Sequence, residues 1–196
     1  MTAIAILPVK SFHLGKGRLA EALGPDVRAR LGRALASKTL DTAEHAGLIP
    51  IVVAGDDTVA EWSVGRGVPA IPDPGGGLSR AASEGVAWAN HAGSPWMVLH
   101  TDLPLLTVGE LKTAAGLLRS GGDLIAPSTD GGTSLIGSTD NLEFAYGPGS
   151  FRAHLPRLRN PTVLAVLGLL HDLDSPSDLE SARLHPRGRW LRELVD

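Results

Sequence analysis

Short apolar runs recur along the chain at 3–9, 48–54, 68–71, 96–101, 124–127 and 162–167, most of them without alternating polar positions. Val, Ile, Leu and Ala runs of this length predict strands buried on both faces. Between them the apolar residues fall at helical spacing, first over 26–46 with Val27, Leu31, Ala34 and Leu35 on one stripe, then over 57–66, 78–91 and 108–119. Strands alternating with helices predict an α/β fold, a single-domain three-layer sandwich with a mainly parallel, Rossmann-like sheet. In open sheets of this kind ligands sit beyond the carboxyl ends of the strands. Chemistry is therefore expected in the residues just after each apolar run.

Composition narrows the function classes. A chain of 196 residues fits one domain spanning 1–196, and 43% hydrophobic with 20% charged residues is the balance of a globular protein. A net charge of -3 offers no basic face for a nucleic-acid backbone, so phosphate recognition is expected to be local. The absence of cysteine excludes disulfides, thiol nucleophiles and zinc-thiolate sites, and a reducing, cytoplasmic setting is expected. The first apolar run lacks a basic leader and is far shorter than the roughly 20 residues of a membrane helix, so it reads as a buried strand with no membrane partner.

After that strand come Pro8, Val9 and Lys10, then Gly15-Lys16-Gly17-Arg18-Leu19. A glycine-bracketed loop lets backbone N–H groups approach a polyphosphate while Lys10, Lys16 and Arg18 neutralise it. A solvated basic turn is the plain alternative. The same stretch matches G-x-G-x-x-A, but its glycines start several residues after the strand, and the acids Asp56 and Asp57 lie about twice too far along for a dinucleotide site. Nor is it a Walker A loop, because Gly17 follows Lys16.

The stretch Asp73-Pro74-Gly75-Gly76-Gly77-Leu78-Ser79 leads into a helix and permits close contact with a flat ligand, or is simply a flexible connection. Ser79 reads as a cap or a contact. Asp102 follows the fourth strand in Leu99-His100-Thr101-Asp102-Leu103-Pro104, with Pro104 ending regular structure. Magnesium is held by one or two carboxylates plus substrate phosphates, which suits this residue, although a turn acid is an ordinary alternative. Asp172 and Asp174 stand two apart, on one face if extended, ahead of Ser175-Pro176 and Asp178, which read as a helix cap. Two acids on one face without a built-in cation favour a metal, with an arginine partner elsewhere in the chain as the ordinary alternative. The segments 129–135 and 144–151 combine glycine with hydroxyls suited to an anion, with Ser150 also read as a helix cap and a hairpin turn as the alternative for the first. The seven histidines show no metal-ligand spacing, and no Gly-x-Ser-x-Gly elbow occurs. His100 is read as core-facing.

Taken together and in order, PVK…GKGRL, the glycine run after Asp73, LHTDLPLL, DGGTSL, the Gly-Pro-Gly-Ser loop and HDLDSPSDL resemble the guanylyltransferases of coenzyme F(420) biosynthesis over nearly the whole chain. Singly, these motifs are shared with the wider molybdenum-cofactor guanylyltransferase-like enzymes. The resemblance implies a nucleotide-diphospho-sugar transferase type of fold and a transfer of GMP from GTP to phosphoenolpyruvate or 2-phospho-L-lactate, with pyrophosphate released. It implies magnesium on Asp102, Asp172 and Asp174. It places GTP against Pro8, Val9, Lys10, Lys16, Gly76, Gly77, Leu78, Ser79 and Asp102, with Lys10, Lys16, Arg18 and Asp102 catalytic. The small phosphorylated carboxylic acid is assigned to Thr133, Gly147 and Ser150.

The chain departs from that pattern at Gly15 and Gly17, where the loop usually reads AK(S/T)RL. It departs again at Ser79, where asparagine is usual, and at Ser128 and Thr129, where an aspartate-arginine pair is usual. The expected partners are those two substrates, a second copy as homodimer and the next pathway enzyme as recipient of the product. The rival readings are a nucleotidyltransferase for another phosphorylated acceptor (molybdenum cofactor, sugar phosphate or 3-phosphoglycerate) and a non-catalytic GTP-binding regulator.

Overall fold

A computed structural model describes residues 1–13 and 15–195. The chain runs β1 (Ile4–Val9), α1 (Pro25–His45), β2 (Ile49–Ala54), α2 (Asp57–Gly65), β3 (Ala70–Pro72), α3 (Leu78–His91), β4 (Trp96–Leu99) and α4 (Val108–Arg119). It continues through β5 (Leu124–Pro127), β6 (Thr133–Ser138), α5 (Ser150–His154), β7 (Thr162–Val163), α6 (Leu167–Leu170), α7 (Pro176–Leu184) and α8 (Arg192–Val195). The strands form one sheet in the order β3-β2-β1-β4-β6-β5-β7. β6 runs antiparallel to both β4 and β5, and every other pairing is parallel.

The unbroken apolar runs are explained by the two faces of this sheet. Ala5, Leu7, Val52, Met97, Leu99 and Leu135 pack into a core under α1, α2 and α4, while Ile4, Ile6, Ile51, Val53, Val98 and Ile136 pack into the core on the α3 side. Successive strand residues point to opposite faces, so burial on both demands an apolar residue at nearly every position. Helix α3 approaches closely at Gly85, where any β-carbon would strike the side chains of Ile6 and Val53.

Several predicted boundaries move. The fourth strand ends at Leu99 rather than 101, and 162–167 splits into the two-residue β7 and the start of α6. The segment 129–135 proves to be partly strand: 128–132 is the turn of a β5–β6 hairpin, held by Gly132 N–H and Ser128 Oγ–H donating to Asp130 Oδ1. The capping box at Ser175 and Asp178 is present as expected. Ser150 is no cap, because Gly149 holds the N-cap position of α5 with no side-chain bond to the helix.

A third apolar cluster positions the loops. Leu19, Leu31, Leu35, Leu105, Leu173 and Leu179 pack together at the carboxyl edge. Leu19 and Leu173 are fully buried, so the segments carrying Lys16 and Arg18 and carrying Asp172 and Asp174 are pinned against one another.

Candidate active site

The sheet reverses its winding between β1 and β4, which are neighbours although β2 and β3 intervene in sequence. A crevice opens at the carboxyl ends where successive connections leave in opposite directions. Lys10 follows β1 and Asp102 follows β4, so the two flank that point.

Lys16 makes the central contact. It takes a left-handed backbone conformation at φ 57, and its ammonium donates to Asp102 Oδ2 at 2.8 Å, to Leu173 O at 2.5 Å and to Asp174 Oδ1 at 3.3 Å. Arg18 lies 3.8 Å from the other Asp174 oxygen and is largely exposed. Burial by itself lowers the Lys16 pKa, but the Asp102 and Asp174 carboxylates outweigh it and hold the ammonium above its ordinary value. Burial likewise opposes charge on Asp102, yet the adjacent ammonium keeps its carboxyl below the usual range. Asp102 O accepts from Leu173 N–H at 2.9 Å, which ties the two acidic segments together through the backbone.

The expectation of acids without a built-in cation therefore needs correction: Lys16 already partners Asp102 and Asp174. Sequence reasoning had aimed this residue only at phosphates. Among the described residues Asp130 and Asp172 have no ion-pair partner, and both lie beside Asp174. One oxygen each of Asp130, Asp172 and Asp174 lies within 4.8 Å of the others. Asp172 accepts from Thr129 Oγ at 3.2 Å, and burial, together with Asp102 and Asp130 nearby, pushes its carboxyl up to about 6. Asp102 Oδ1 is buried with no partner. An acidic group short of positive charge, beside an orphaned carboxylate oxygen, suits a hard divalent cation. Asp130 was not foreseen as a member, since its Asp-Gly-Gly context signals a turn.

The remaining expected residues distribute as follows. Pro8 and Val9 lie within β1 in register with Val53 and Ala54, and Val9 O accepts from Gly55 N–H, so they line the base of the crevice through their backbone. Lys10 is exposed beyond them. Gly76 and Gly77 take φ of +84 and +93, and Gly77, the N-cap of α3 with ψ 179, occupies backbone space open essentially to glycine alone. Leu78 is half-buried at the first position of α3. Ser79 is not the cap: its hydroxyl accepts from Tyr146 N–H at 2.9 Å, which brings the glycine run and the Gly147 loop together.

Thr133 and Ser150 are buried and hydrogen-bonded to each other at 3.2 Å, beside exposed Gly147. Phe151 N–H donates to Gly131 O, tying this loop to the hairpin turn. His154 contacts Thr133 at 3.0 Å and was missed altogether. The available signal was its four-residue spacing from Ser150, which puts both side chains on one helical face. His100 is half-buried with its ring beside Tyr146, which packs against the core on the α3 side, ring centroids 5.4 Å apart, and its buried Nε2 lacks a partner.

This site stands on a chain whose residues 3–195 match the family described as guanylyl transferase CofC like. The chain belongs to that family. Over 195 residues it is 33% identical to the phosphoenolpyruvate guanylyltransferase of Sphaerobacter thermophilus, covering 94% of each chain. It is 34% identical to the protein of the same name from Rubrobacter xylanophilus, with 96% of each covered. Among solved structures, a putative nucleotide-diphospho-sugar transferase from Desulfovibrio desulfuricans superposes with a TM-score of 0.76 at 21% identity, over 100% of this chain and 97% of that one. That likeness bears on fold. The α/β architecture with a mostly parallel sheet seen here is the fold shared with that structure. Among the described residues no helix is long and apolar enough to cross a membrane.

Proposed function

We propose that this guanylyltransferase joins GMP from GTP to phosphoenolpyruvate, the acceptor named in its curated relatives, and releases pyrophosphate. The observation that carries the reading is the meeting of a Lys16 and Arg18 loop with four carboxylates at the sheet's switch point, two of them without a cationic partner. A phosphate monoester is largely dianionic at neutral pH, so it attacks the α-phosphorus without a general base. A new P–O–P bond forms as the bond to the β-phosphoryl oxygen breaks, and the electron pair leaves with pyrophosphate.

Catalysis then reduces to positioning and charge neutralisation. Lys10, Lys16 and Arg18 are assigned to the triphosphate, with Pro8 and Val9 beneath it and Gly76, Gly77, Leu78 and Ser79 beside the nucleoside. Thr133, Gly147 and Ser150 are assigned to the acid. Magnesium suits Asp172 and Asp174 with the free oxygen of Asp102, and Asp130 joins them by proximity. When bound, the metal supplies positive charge against the reacting phosphates. Coenzyme F(420) biosynthesis is the setting that fits the family.

The test is pyrophosphate release from GTP and magnesium with phosphoenolpyruvate, with 2-phospho-L-lactate, and with no acceptor. Acceptor-dependent release that collapses in Asp102→Asn is expected. Unchanged turnover in that variant, or release that ignores the acceptor, refutes the assignment.

A further inference from the structure

Ser150 and His154 open and close α5, and both meet Thr133 at the start of β6. The backbone N–H of Ala145 donates to His154 Nε2 at 2.8 Å, so that ring nitrogen carries a lone pair. Burial, aided by Arg157 and His100, pushes His154 down to about 4, and the ring is neutral at pH 7 with its proton on Nδ1. Nδ1 lies 3.0 Å from Thr133 Oγ and donates to it. The Tyr146 ring packs edge-on against the imidazole, centroids 4.8 Å apart, and steadies its plane.

The polarity of the pair follows. Thr133 and Ser150 hold two O–H protons between them, and one is used in their mutual bond at 3.2 Å. His154 cannot accept the second, because both of its nitrogens are committed. No other acceptor for it occurs among the described residues. A buried hydroxyl with an unused proton is costly unless something outside the chain receives it.

We propose that His154 is a positioning residue for the acceptor, holding the Thr133–Ser150 pair so that one O–H is always presented to an anionic oxygen of the phosphorylated acid. The reverse tautomer would make Thr133 the donor to the ring and turn hydroxyl lone pairs toward the anion, which repels it. This inference rests on the assignment of Thr133 and Ser150 to the acid, and the experiment separates the two.

Steady-state kinetics with phosphoenolpyruvate are compared for Thr133→Val, His154→Phe and the double variant, with the KM for GTP and the melting temperature followed in each. Thr133→Val raises the phosphoenolpyruvate KM by about 10- to 100-fold, the size expected for a hydrogen bond to a charged group. His154→Phe raises it about tenfold with the GTP KM unchanged, and adds little in the Thr133→Val background. An unchanged phosphoenolpyruvate KM in Thr133→Val overturns the acid-site assignment itself. A normal effect of Thr133→Val, with His154→Phe either inert or fully additive, overturns only the role of His154. Long-range 1H–15N NMR of the native protein needs no variant: a proton on Nδ1 is expected, and a proton on Nε2 overturns the proposal even if His154→Phe does not fold.

Discussion

Replacing Lys16 by methionine removes the ammonium while keeping most of the buried stem. The side chain is 12% exposed and that of Asp102 24%, and three bonds of 2.5, 2.8 and 3.3 Å are lost together. Breaking one partner of a buried ion pair costs about 3–5 kcal/mol because the other charge stays behind unpaired. Partial exposure of Asp102 places this site near the lower end, about 3 kcal/mol. In a domain of this size each kcal/mol lowers the melting temperature by roughly 2–4 °C, so a fall of about 6–12 °C is expected in EDTA. Saturating magnesium should recover more stability in Lys16→Met than in the native protein, because the cation then balances a carboxylate that the ammonium no longer serves. Scanning calorimetry with EDTA and with magnesium reads both effects. A melting temperature within about 2 °C of native in EDTA, or equal gains from magnesium in both proteins, refutes the reasoning.

Asp172→Asn should be more stable than native at pH 7.5 in EDTA by about 1–2 kcal/mol, discounted for partial exposure, while needing more magnesium for turnover. The sign follows from a carboxyl raised to about 6 in the fold: the native protein loses stability as pH rises from about 4 through 6, and the variant's advantage should vanish at pH 4 in urea melts. Gly77→Ala forces a β-carbon onto φ +93 and should cost about 1–3 kcal/mol, raising the KM for GTP; an unchanged KM removes this loop from nucleotide binding. Glu110 accepts from Thr107 N–H and Oγ–H, Gly168 N–H and Arg187, so Glu110→Ala should destabilise by about 2 kcal/mol without changing either KM, measured by denaturation and kinetics together.

Much of the framework was legible in the chain alone. Continuous apolar runs imply two-sided burial, helical spacing marks one buried stripe, and Ser175-Pro176 with Asp178 announces a helix start, because each reports a local requirement that neighbouring residues satisfy. Asp102 was legible for the same reason, as a carboxylate stranded between a strand and Pro104. What the one-dimensional pattern cannot express is which strand ends become neighbours. Lys16 reaches Asp102 across 86 positions and Asp174 across 158 only because β4 docks beside β1 and Leu173 is buried with Leu19. The reversed strand β6 likewise carries Thr133 to Ser150 and His154, and the hairpin turn before it carries Asp130 to Asp172. Periodicity is set by burial within an element, whereas the pairing of distant loops is set by packing between elements. The α/β framework and the candidate acids Asp102, Asp172 and Asp174 were therefore legible in the sequence pattern, whereas the addition of Asp130 and the partners of all four were decided by the tertiary structure.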